Sequence, residues 1–405
     1  MQLYKHQEDV IRDNPSRVLL AHATGTGKTL TGITLANKNA LTLLVVCPKM
    51  LKEKWQRDIN EHGRERMITM ILTKEEFKAK VKTIPRFDCV IIDEAHYFAG
   101  IKSQLHKAMV WYMKQHNITY RYLLTATPYL STPLNIFALA RILGHEWNYR
   151  TFIKEYFYEI PMGHRVIMKP RPNIEGKVAD LVAKIGHIVD FETAITASNQ
   201  SLPEQTHEVV RFDLTEEQII AKRDHAYTQS THIQQWTREH QIENGFVYRE
   251  ISHAPIHFHS NKNIWLANMA TKYKKFIVFC RYHAQIELLT ELFQSMDRNV
   301  LVIHGDVTNR DAIINEAERL DDCIIIIQSS CSAGYELPSF RIVIFASLDF
   351  SYVNYQQALG RNLRINKLAP NTYYYLVAEG VDTDVYDCIM KKQDFSFEIY
   401  NKKKL

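Results

Sequence analysis

Runs of apolar residues alternate with amphipathic stretches along most of the chain. The apolar runs cover 17–21, 41–48, 68–72, 89–93 and 121–127 in the first half, and 274–280, 299–305, 321–328, 341–347 and 372–380 in the second. Continuous apolar runs of this length are typical of strands that are buried on both faces. The amphipathic stretches between them, such as 49–62 and 102–116, are typical of helices that cover a parallel sheet. The pattern therefore predicts an α/β protein with one parallel sheet in each half.

The region from about residue 145 to residue 204 interrupts this alternation. It is rich in aromatic residues and proline, as in EWNYRTFIKEYFYEIPMGHRVIMKPRPN. We therefore predict a first domain over 1–144, an insertion and linker over 145–204, and a second domain over 205–405. Within the insertion, the segment 155–175 is long enough to form a hairpin.

Composition narrows the class of protein. The chain has 405 residues, 46% of them hydrophobic and 23% charged, as in ordinary globular proteins. A net charge of only +5 excludes a general polycation, so nucleic-acid binding would need a local basic groove. The six cysteines are scattered without a Cys-x-x-Cys pair, which favours a reducing compartment. The sequence also lacks an apolar run of about 18 residues and an apolar core near its charged start, so we expect neither a membrane span nor a signal peptide.

The segment HATGTGKT over 22–29 resembles a phosphate-binding loop with His22 in place of the first glycine. Glycines in such a loop let backbone N–H groups converge on phosphates at a helix N-terminus. The Lys28 ammonium would reach the β- and γ-phosphates, and the Thr29 hydroxyl would bind Mg²⁺. An ordinary helix-entry turn is the alternative, but an apolar strand precedes the loop and a helical pattern follows it. The predicted nucleotide-binding residues are Thr24, Gly25, Thr26, Gly27, Lys28 and Thr29.

An acidic pair follows the apolar run at 89–93, in the segment CVIIDEAH. Ligands of open α/β sheets bind outside the carboxyl ends of the strands, where such side chains emerge. Asp93 would hold the metal, and Glu94 would orient the attacking water. A strand end with a solvated acidic pair is the alternative, which the phosphate loop makes less favoured.

Asp-Glu-Ala-His after Gly-Lys-Thr, followed by TATP over 125–128, resembles the superfamily II helicases and translocases. The resemblance implies two RecA-like domains in tandem with an ATP cleft between them. It also implies that Gln7 recognises adenine, and that His96, Thr125 and Thr127 couple the nucleotide state to nucleic-acid binding. The first loop position is commonly alanine in this superfamily and needs no positive φ, so His22 is compatible with a working loop.

The segment QALGRNLR over 357–364 stands in the second half. Its spacing places Arg361 and Arg364 about one helical turn apart, and planar guanidinium groups suit phosphate oxygens. By the resemblance, both arginines act on the γ-phosphate that the first domain holds. Gln357 is grouped with them as a catalytic residue and is a further candidate for coupling the nucleotide state to nucleic-acid binding. The alternative is a helix with exposed basic residues.

The run from 329 to 366 resembles the corresponding part of Swi2/Snf2-type translocases, and the resemblance covers nearly the whole chain except about 145–200. Glu336 stands where relatives carry Asp or Asn, and a nucleotide ribose contact is carried over to it. For Trp55 a place in the core is an equal alternative to a DNA contact. For the segment 155–175, a solvated hairpin is an equal alternative to a DNA contact. The other predicted DNA contacts are Pro48, Lys49, Trp55, Arg281, Ser330 and Ser332.

The function that the resemblance implies is an ATP- and Mg²⁺-dependent DNA helicase or translocase on branched or duplex DNA. Recombination, repair or replication would be its setting, in a bacterial or phage-infected cell, with the nucleus left open. An RNA helicase and the motor subunit of a nuclease or restriction complex are the alternatives. We expect no membrane partner.

Overall fold

The computed structural model describes residues 3–129, 132–162, 165–171, 174–196, 198, 203–226, 232–249, 251–332, 334–362 and 369–391. The chain divides into two compact units, Met1–Ser201 and Leu202–Leu405. Each unit is built around one parallel sheet of six strands in its described part. This confirms the α/β class and the tandem sheets that the hydrophobic pattern predicts.

The sheet of the first unit has the strand order β3-β2-β4-β5-β1-β8, and each neighbouring pair runs parallel. An antiparallel hairpin of β6 and β7 stands beside it as a separate sheet. The strands are β1 (Arg17–His22), β2 (Thr42–Cys47), β3 (Ile68–Thr73), β4 (Cys89–Asp93), β5 (Tyr120–Leu124), β6 (Phe157–Met162), β7 (Arg165–Pro170) and β8 (Gly186–Val189).

Helices connect these strands, and short 3-10 turns follow two of them, at Lys49–Leu51 and Ala95–Phe98. The helices are α1 (Lys5–Asp13), α2 (Lys28–Asn39), α3 (Lys52–His62), α4 (Lys74–Lys80), α5 (Gln104–Gln115), α6 (Leu134–Leu143), α7 (Tyr149–Tyr156), α8 (Glu175–Ala183) and α9 (Phe191–Thr196).

Alternate residues of each central strand enter two different hydrophobic clusters. Along β2, Leu44 and Val46 pack into one cluster, whereas Leu43 and Val45 pack into the other. Successive side chains of a strand point to opposite faces of the sheet, so both faces are buried. This explains why the strands are continuously apolar rather than alternating.

The region 145–201 differs from the insertion that the sequence suggests, because it completes the first unit. Phe152, Ile153 and Tyr156 of α7 enter the main hydrophobic cluster of the first unit. Strand β8 pairs with β1 as the edge of the sheet, and Gly186 lies opposite Leu19. A Cβ on Gly186 would come within 2.2 Å of the Leu19 carbonyl oxygen, so the close approach of the two strands requires glycine. The hairpin expected within 155–175 does form, as β6 and β7.

The second unit has the strand order β13-β14-β12-β15-β16-β9, again with parallel neighbours, and a small antiparallel pair of β10 and β11. Its strands are β9 (Gln205–Phe212), β10 (Phe246–Tyr248), β11 (Pro255–His257), β12 (Lys275–Cys280), β13 (Val300–Ile303), β14 (Cys323–Gln328), β15 (Ile342–Phe345) and β16 (Asn371–Ala378). Its helices are α10 (Glu216–Ala226), α11 (His232–Glu243), α12 (Asn261–Lys272), α13 (His283–Gln294), α14 (Arg310–Arg319), α15 (Tyr352–Leu359) and α16 (Val381–Met390).

Strand β9 lies at the start of the predicted second domain. Its eight residues pair with β16 along their whole length and form the edge of the second sheet. The second unit therefore begins with a strand that forms one edge of its own sheet.

The six cysteines all lie in the described ranges, where they are free thiols and buried. Among the described residues, the structure contains no helix with the length and apolar character needed to cross a membrane.

Candidate nucleotide site

Strand order in the first sheet brings three polar segments to one edge. Strands β4, β5 and β1 are consecutive neighbours, and the parallel register aligns Asp93 with Leu124 and Leu124 with Leu20. The segments that leave their carboxyl ends are 22–28, 93–96 and 125–127. The predicted phosphate loop, the acidic pair and the Thr-x-Thr segment are therefore adjacent, at the edge where open α/β sheets bind ligands.

The segment 22–28 is a turn that opens directly into α2. Gly25 and Gly27 have φ values of 77° and 82°, in the left-handed region that favours glycine. Gly27 is the N-cap of α2, and the first turn of that helix carries no acidic residue. The positive end of the helix dipole therefore faces the turn without a competing carboxylate from its own first turn, as an anion site requires.

Two side chains of helix α1 form hydrogen bonds with this turn. The amide of Gln7 donates from Nε2 to the Gly27 carbonyl at 3.0 Å and to Thr31 Oγ1 at 3.2 Å. The imidazole of His6 lies 2.9 Å from the Thr26 carbonyl, and because a carbonyl can only accept, Nε2 of His6 is the donor. Gln7 thus holds the loop, while its predicted contact with adenine remains a prediction.

The Lys28 ammonium lies inside the curve of the loop. Its Nζ donates to the carbonyl oxygens of His22 and Ala23 at 2.8 and 2.9 Å. Thr29 follows in the first turn of α2 and is half-buried. A flexible cation on carbonyl oxygens can move to phosphate oxygens, which would offer it full negative charges.

Asp93 is buried at the end of β4, and its two carboxylate oxygens are both engaged. Oδ1 accepts the backbone N–H of Glu94 at 2.9 Å, and Oδ2 accepts the indole N–H of Trp55 at 2.7 Å. Trp55 is itself only 1% exposed. The indole N–H is the only hydrogen-bond donor of the Trp55 side chain, and it is donated to this carboxylate.

Burial, together with the nearby charge of Glu94, raises the pKa of Asp93 to about 6. The hydrogen bond from Trp55 and the positive charge of Lys28 act in the opposite direction and favour the carboxylate. These two contacts therefore favour the charged form of Asp93 in a place where burial disfavours it. Carboxylate and hydroxyl oxygens are ligands suited to Mg²⁺, so Asp93 and Thr29 fit such an ion.

Glu94 has the left-handed φ of 48°, which costs a non-glycine residue about 1–3 kcal/mol. Its Oε2 lies 3.2 Å from Nδ1 of His96. The same Nδ1 atom lies 3.2 Å from Thr125 Oγ1 and 3.4 Å from Thr127 Oγ1. The three residues predicted to couple the site to nucleic acid therefore form one buried cluster with Glu94. Strained backbone of this kind is concentrated at functional sites.

The predicted nucleotide residues of the second unit lie around α15. Gln357 is buried on that helix, and Arg361 just after it donates to the carbonyl oxygens of Gln357 and Tyr335 at 2.6 and 2.8 Å. Glu336 is exposed. Arg364 lies outside the described residues.

The residues predicted to contact DNA differ in the solvent exposure of their side chains. Lys49 and Ser330 are exposed, and Arg281 is half-buried in an ion pair with Asp349. Trp55, Pro48 and Ser332 are buried. For Trp55 the structure supports the core alternative: its indole faces the Asp93 carboxylate, so we correct its assignment as a DNA contact.

Two residues of this site, His6 and His187, are not indicated by the sequence, and a third, Trp55, has a different role from the DNA contact predicted for it. His6 and His187 contact the loop region from α1 and β8, and Trp55 hydrogen-bonds Asp93. Each acts across a sequence separation of 20 to 165 residues, for which spacing within a motif carries no signal.

Comparison with known families agrees with this arrangement. Residues 1–85 match the family described as "Type III restriction enzyme, res subunit", and residues 261–366 match the "Helicase conserved C-terminal domain". The helicase domain of Hef from Pyrococcus furiosus has the same fold, with a TM-score of 0.55 at 15% identity, covering 95% of this chain and 97% of that one. The chain therefore shares its fold with this helicase domain, and part of each unit is similar to one of the two matched families.

Two curated relatives are similar to nearly the whole length of the chain. The chain is 22% identical to the human DNA annealing helicase and endonuclease ZRANB3, over 96% of this chain and 39% of that protein. It is 21% identical to the Caenorhabditis elegans homologue of "SWI/SNF-related matrix-associated actin-dependent regulator of chromatin subfamily A-like protein 1", over 97% of this chain and 61% of that protein. The chain spans less than two thirds of the length of each of these relatives.

Replacing Trp55 by Phe tests the contact with Asp93. Phe keeps most of the apolar volume and removes the donor, so the carboxylate loses a stabilising hydrogen bond and its pKa rises above about 6. We expect half-maximal binding of a fluorescent nucleotide to need roughly three- to tenfold more Mg²⁺ at neutral pH, and less so at pH 8.

The control is Trp111→Phe, on α5, where the indole is 41% exposed. Binding in that variant should keep the wild-type Mg²⁺ dependence. An unchanged Mg²⁺ dependence in Trp55→Phe, with folding intact, would mean that the indole only fills space.

Proposed function

We propose that the chain is a nucleic-acid-dependent ATPase that couples ATP hydrolysis to movement on DNA. The observation that carries the proposal is the convergence of Lys28, Asp93 and Glu94 at one sheet edge, in the first unit of a chain whose second unit matches the helicase C-terminal domain. A loop that binds phosphates and an acidic pair that holds a metal ion together suit a nucleotide bound with that ion.

In this proposal the residues of the first unit divide the work. The backbone of the loop and the Lys28 ammonium bind the phosphates, and Thr29 and Asp93 hold the Mg²⁺ ion. The ion would supply positive charge against the charge that develops on the phosphates. Glu94 orients the attacking water, and its contact with His96 links it to Thr125 and Thr127.

The resemblance to Swi2/Snf2-type proteins supports further roles. Arg361 and Arg364 would stabilise charge on the γ-phosphate, a contribution worth about 10³–10⁵ in rate in related phosphoryl transfers. Gln357 would couple the nucleotide state to DNA binding. Glu336 would bind the ribose and Gln7 the adenine. Lys49, Arg281 and Ser330 would contact the DNA backbone, and so would the β6–β7 hairpin.

DNA is the proposed track because the curated relatives include a protein named as a DNA annealing helicase. Work on branched DNA in recombination, repair or replication is the setting we propose. Partner proteins, including a nuclease, are compatible with this proposal.

Two substitutions separate nucleotide binding from hydrolysis. Lys28→Ala should abolish both, because the phosphates lose their positively charged partner. Glu94→Gln should keep nucleotide affinity within about threefold while turnover falls roughly 10²–10⁴-fold, since only water activation is lost. Nucleotide fluorescence and phosphate release measure the two quantities.

The matched control is Glu65→Gln, an exposed carboxylate ahead of β3, which should leave both quantities unchanged. Robust turnover in Glu94→Gln would contradict the role of Glu94 in orienting the water.

The nucleic-acid partner is tested by steady-state ATP hydrolysis at one fixed salt concentration, since phosphate contacts make binding strongly salt-dependent. The chain is assayed alone and with single-stranded DNA, duplex DNA, a branched fork or RNA. We expect at least tenfold stimulation by duplex or forked DNA.

Stimulation by RNA alone would overturn the choice of DNA and favour an RNA helicase. Hydrolysis that none of these nucleic acids stimulates would contradict an autonomous motor and favour a subunit of a nuclease or restriction complex.

A further inference from the structure

His22 stands where most phosphate loops carry a small residue, and the structure shows what its side chain contacts. It is the last residue of β1 and is fully buried. Its Nε2 lies 3.0 Å from Nδ1 of His187 on β8, and the two rings meet edge to face at 5.1 Å. The ring of His6 lies 5.6 Å away on α1, also edge to face.

The contact between His22 and His187 is a hydrogen bond with an inferable direction. Burial, then the charge of Lys28 and the neighbouring histidines, holds the pKa of His22 far below its usual value, so the ring is neutral. Among the described residues, Nδ1 of His22 has no hydrogen-bond partner. A buried acceptor without a partner is tolerated better than a buried donor, so the proton resides on Nε2 and is donated to His187.

This hydrogen bond acts on the part of the loop that holds Lys28. The carbonyl oxygen of His22 accepts from the Lys28 ammonium, and so does that of Ala23. The Ala23 carbonyl also accepts from Thr26 Oγ1 at 2.8 Å. Fixing the His22 side chain therefore fixes the carbonyl pair that positions the lysine. Helix α1 contacts the end of the loop, where His6 and Gln7 bind the carbonyl oxygens of Thr26 and Gly27. Strand β8 contacts the beginning of the loop through His187.

Strand β8 can reach this position because of the residue before the histidine. Gly186 lets β8 approach β1 closely, at a distance that a Cβ would prohibit. His187 is next in sequence and is half-buried, with its ring directed to His22. Gly186 thus allows β8 to lie close to β1, and His187 then contacts His22.

We propose that His187 is a positioning residue of the nucleotide site, which preorganises the phosphate loop for nucleotide through its hydrogen bond to His22. The inference rests on the proposed function, since it assumes that the loop binds a nucleotide. It extends that site to the last strand of the first unit, in a region that the sequence suggested was an insertion. Preorganisation of this kind increases affinity because the loop loses less freedom on binding.

The test compares His187→Leu with His187→Asn in the full chain. Leu keeps apolar bulk and cannot hydrogen-bond, whereas the amide of Asn lies near the position of Nδ1 and can accept the proton. We expect His187→Leu to weaken the binding of a fluorescent ADP analogue and to raise KM for ATP by roughly three- to tenfold, with kcat changed less than twofold. His187→Asn should restore most of the affinity.

A double-mutant cycle with His22→Leu tests whether the two rings act as one unit. The double variant should bind no more weakly than the weaker of the two single variants. His116→Leu is the control, because this half-buried histidine of the same unit contacts Trp111 and Tyr112 instead. It should keep wild-type affinity.

The outcomes separate the inference from the function on which it rests. Wild-type affinity in His187→Leu, additive losses in the cycle, or no rescue by Asn would overturn the positioning role while the nucleotide site stands. A melting temperature that falls without any change in affinity would assign His187 to packing alone. If the wild-type chain bound no adenine nucleotide, the proposed function would fail and the inference with it.

Discussion

The order of three strands in the first sheet is the constraint on which the candidate site depends. Strands β4, β5 and β1 are neighbours in a parallel sheet, so the segments that follow them emerge at the same edge. The three segments are far apart in sequence, at 22–28, 93–96 and 125–127. No local interaction could hold them together, but the backbone hydrogen bonds of a buried sheet do so with a fixed register. The continuous apolar strands, which carry no chemistry themselves, are therefore what makes the site geometrically possible.

Charge burial at this edge creates a second requirement. Asp93 is enclosed by the core, and its environment would neutralise it without compensating groups. The compensation comes from two different elements, the indole of Trp55 on α3 and the ammonium of Lys28 on α2. Glu94 follows with a left-handed backbone, and its Oε2 lies 3.2 Å from Nδ1 of His96. The site thus combines buried charge and local strain, both of which the surrounding sheet must support.

The sequence predicts the parts of this molecule that depend on local pattern. All ten apolar runs contain strands, and the eight strands inside the two sheets are continuously apolar because both of their faces are buried. Strands β8 and β9 escape prediction because they contain no continuous apolar run. All eight residues of Gln205–Phe212 are exposed or half-buried, and the four residues of β8 are too few to show a pattern. Trp55 shows the same limit at the site. Its place on an amphipathic helix is compatible with core or surface, and only the fold reveals that its N–H meets Asp93.

The departure from the usual loop at His22 follows from the backbone. The glycines that the turn needs are Gly25 and Gly27, whose φ values are positive. His22 belongs to the end of β1, where the chain is extended and any side chain is sterically acceptable. The position therefore tolerates a large residue as long as the space beyond it is available, and the approach of β8 at Gly186 creates a neighbour for the ring. A position that most phosphate loops fill with a small side chain here connects the candidate phosphate loop to the edge strand of its sheet.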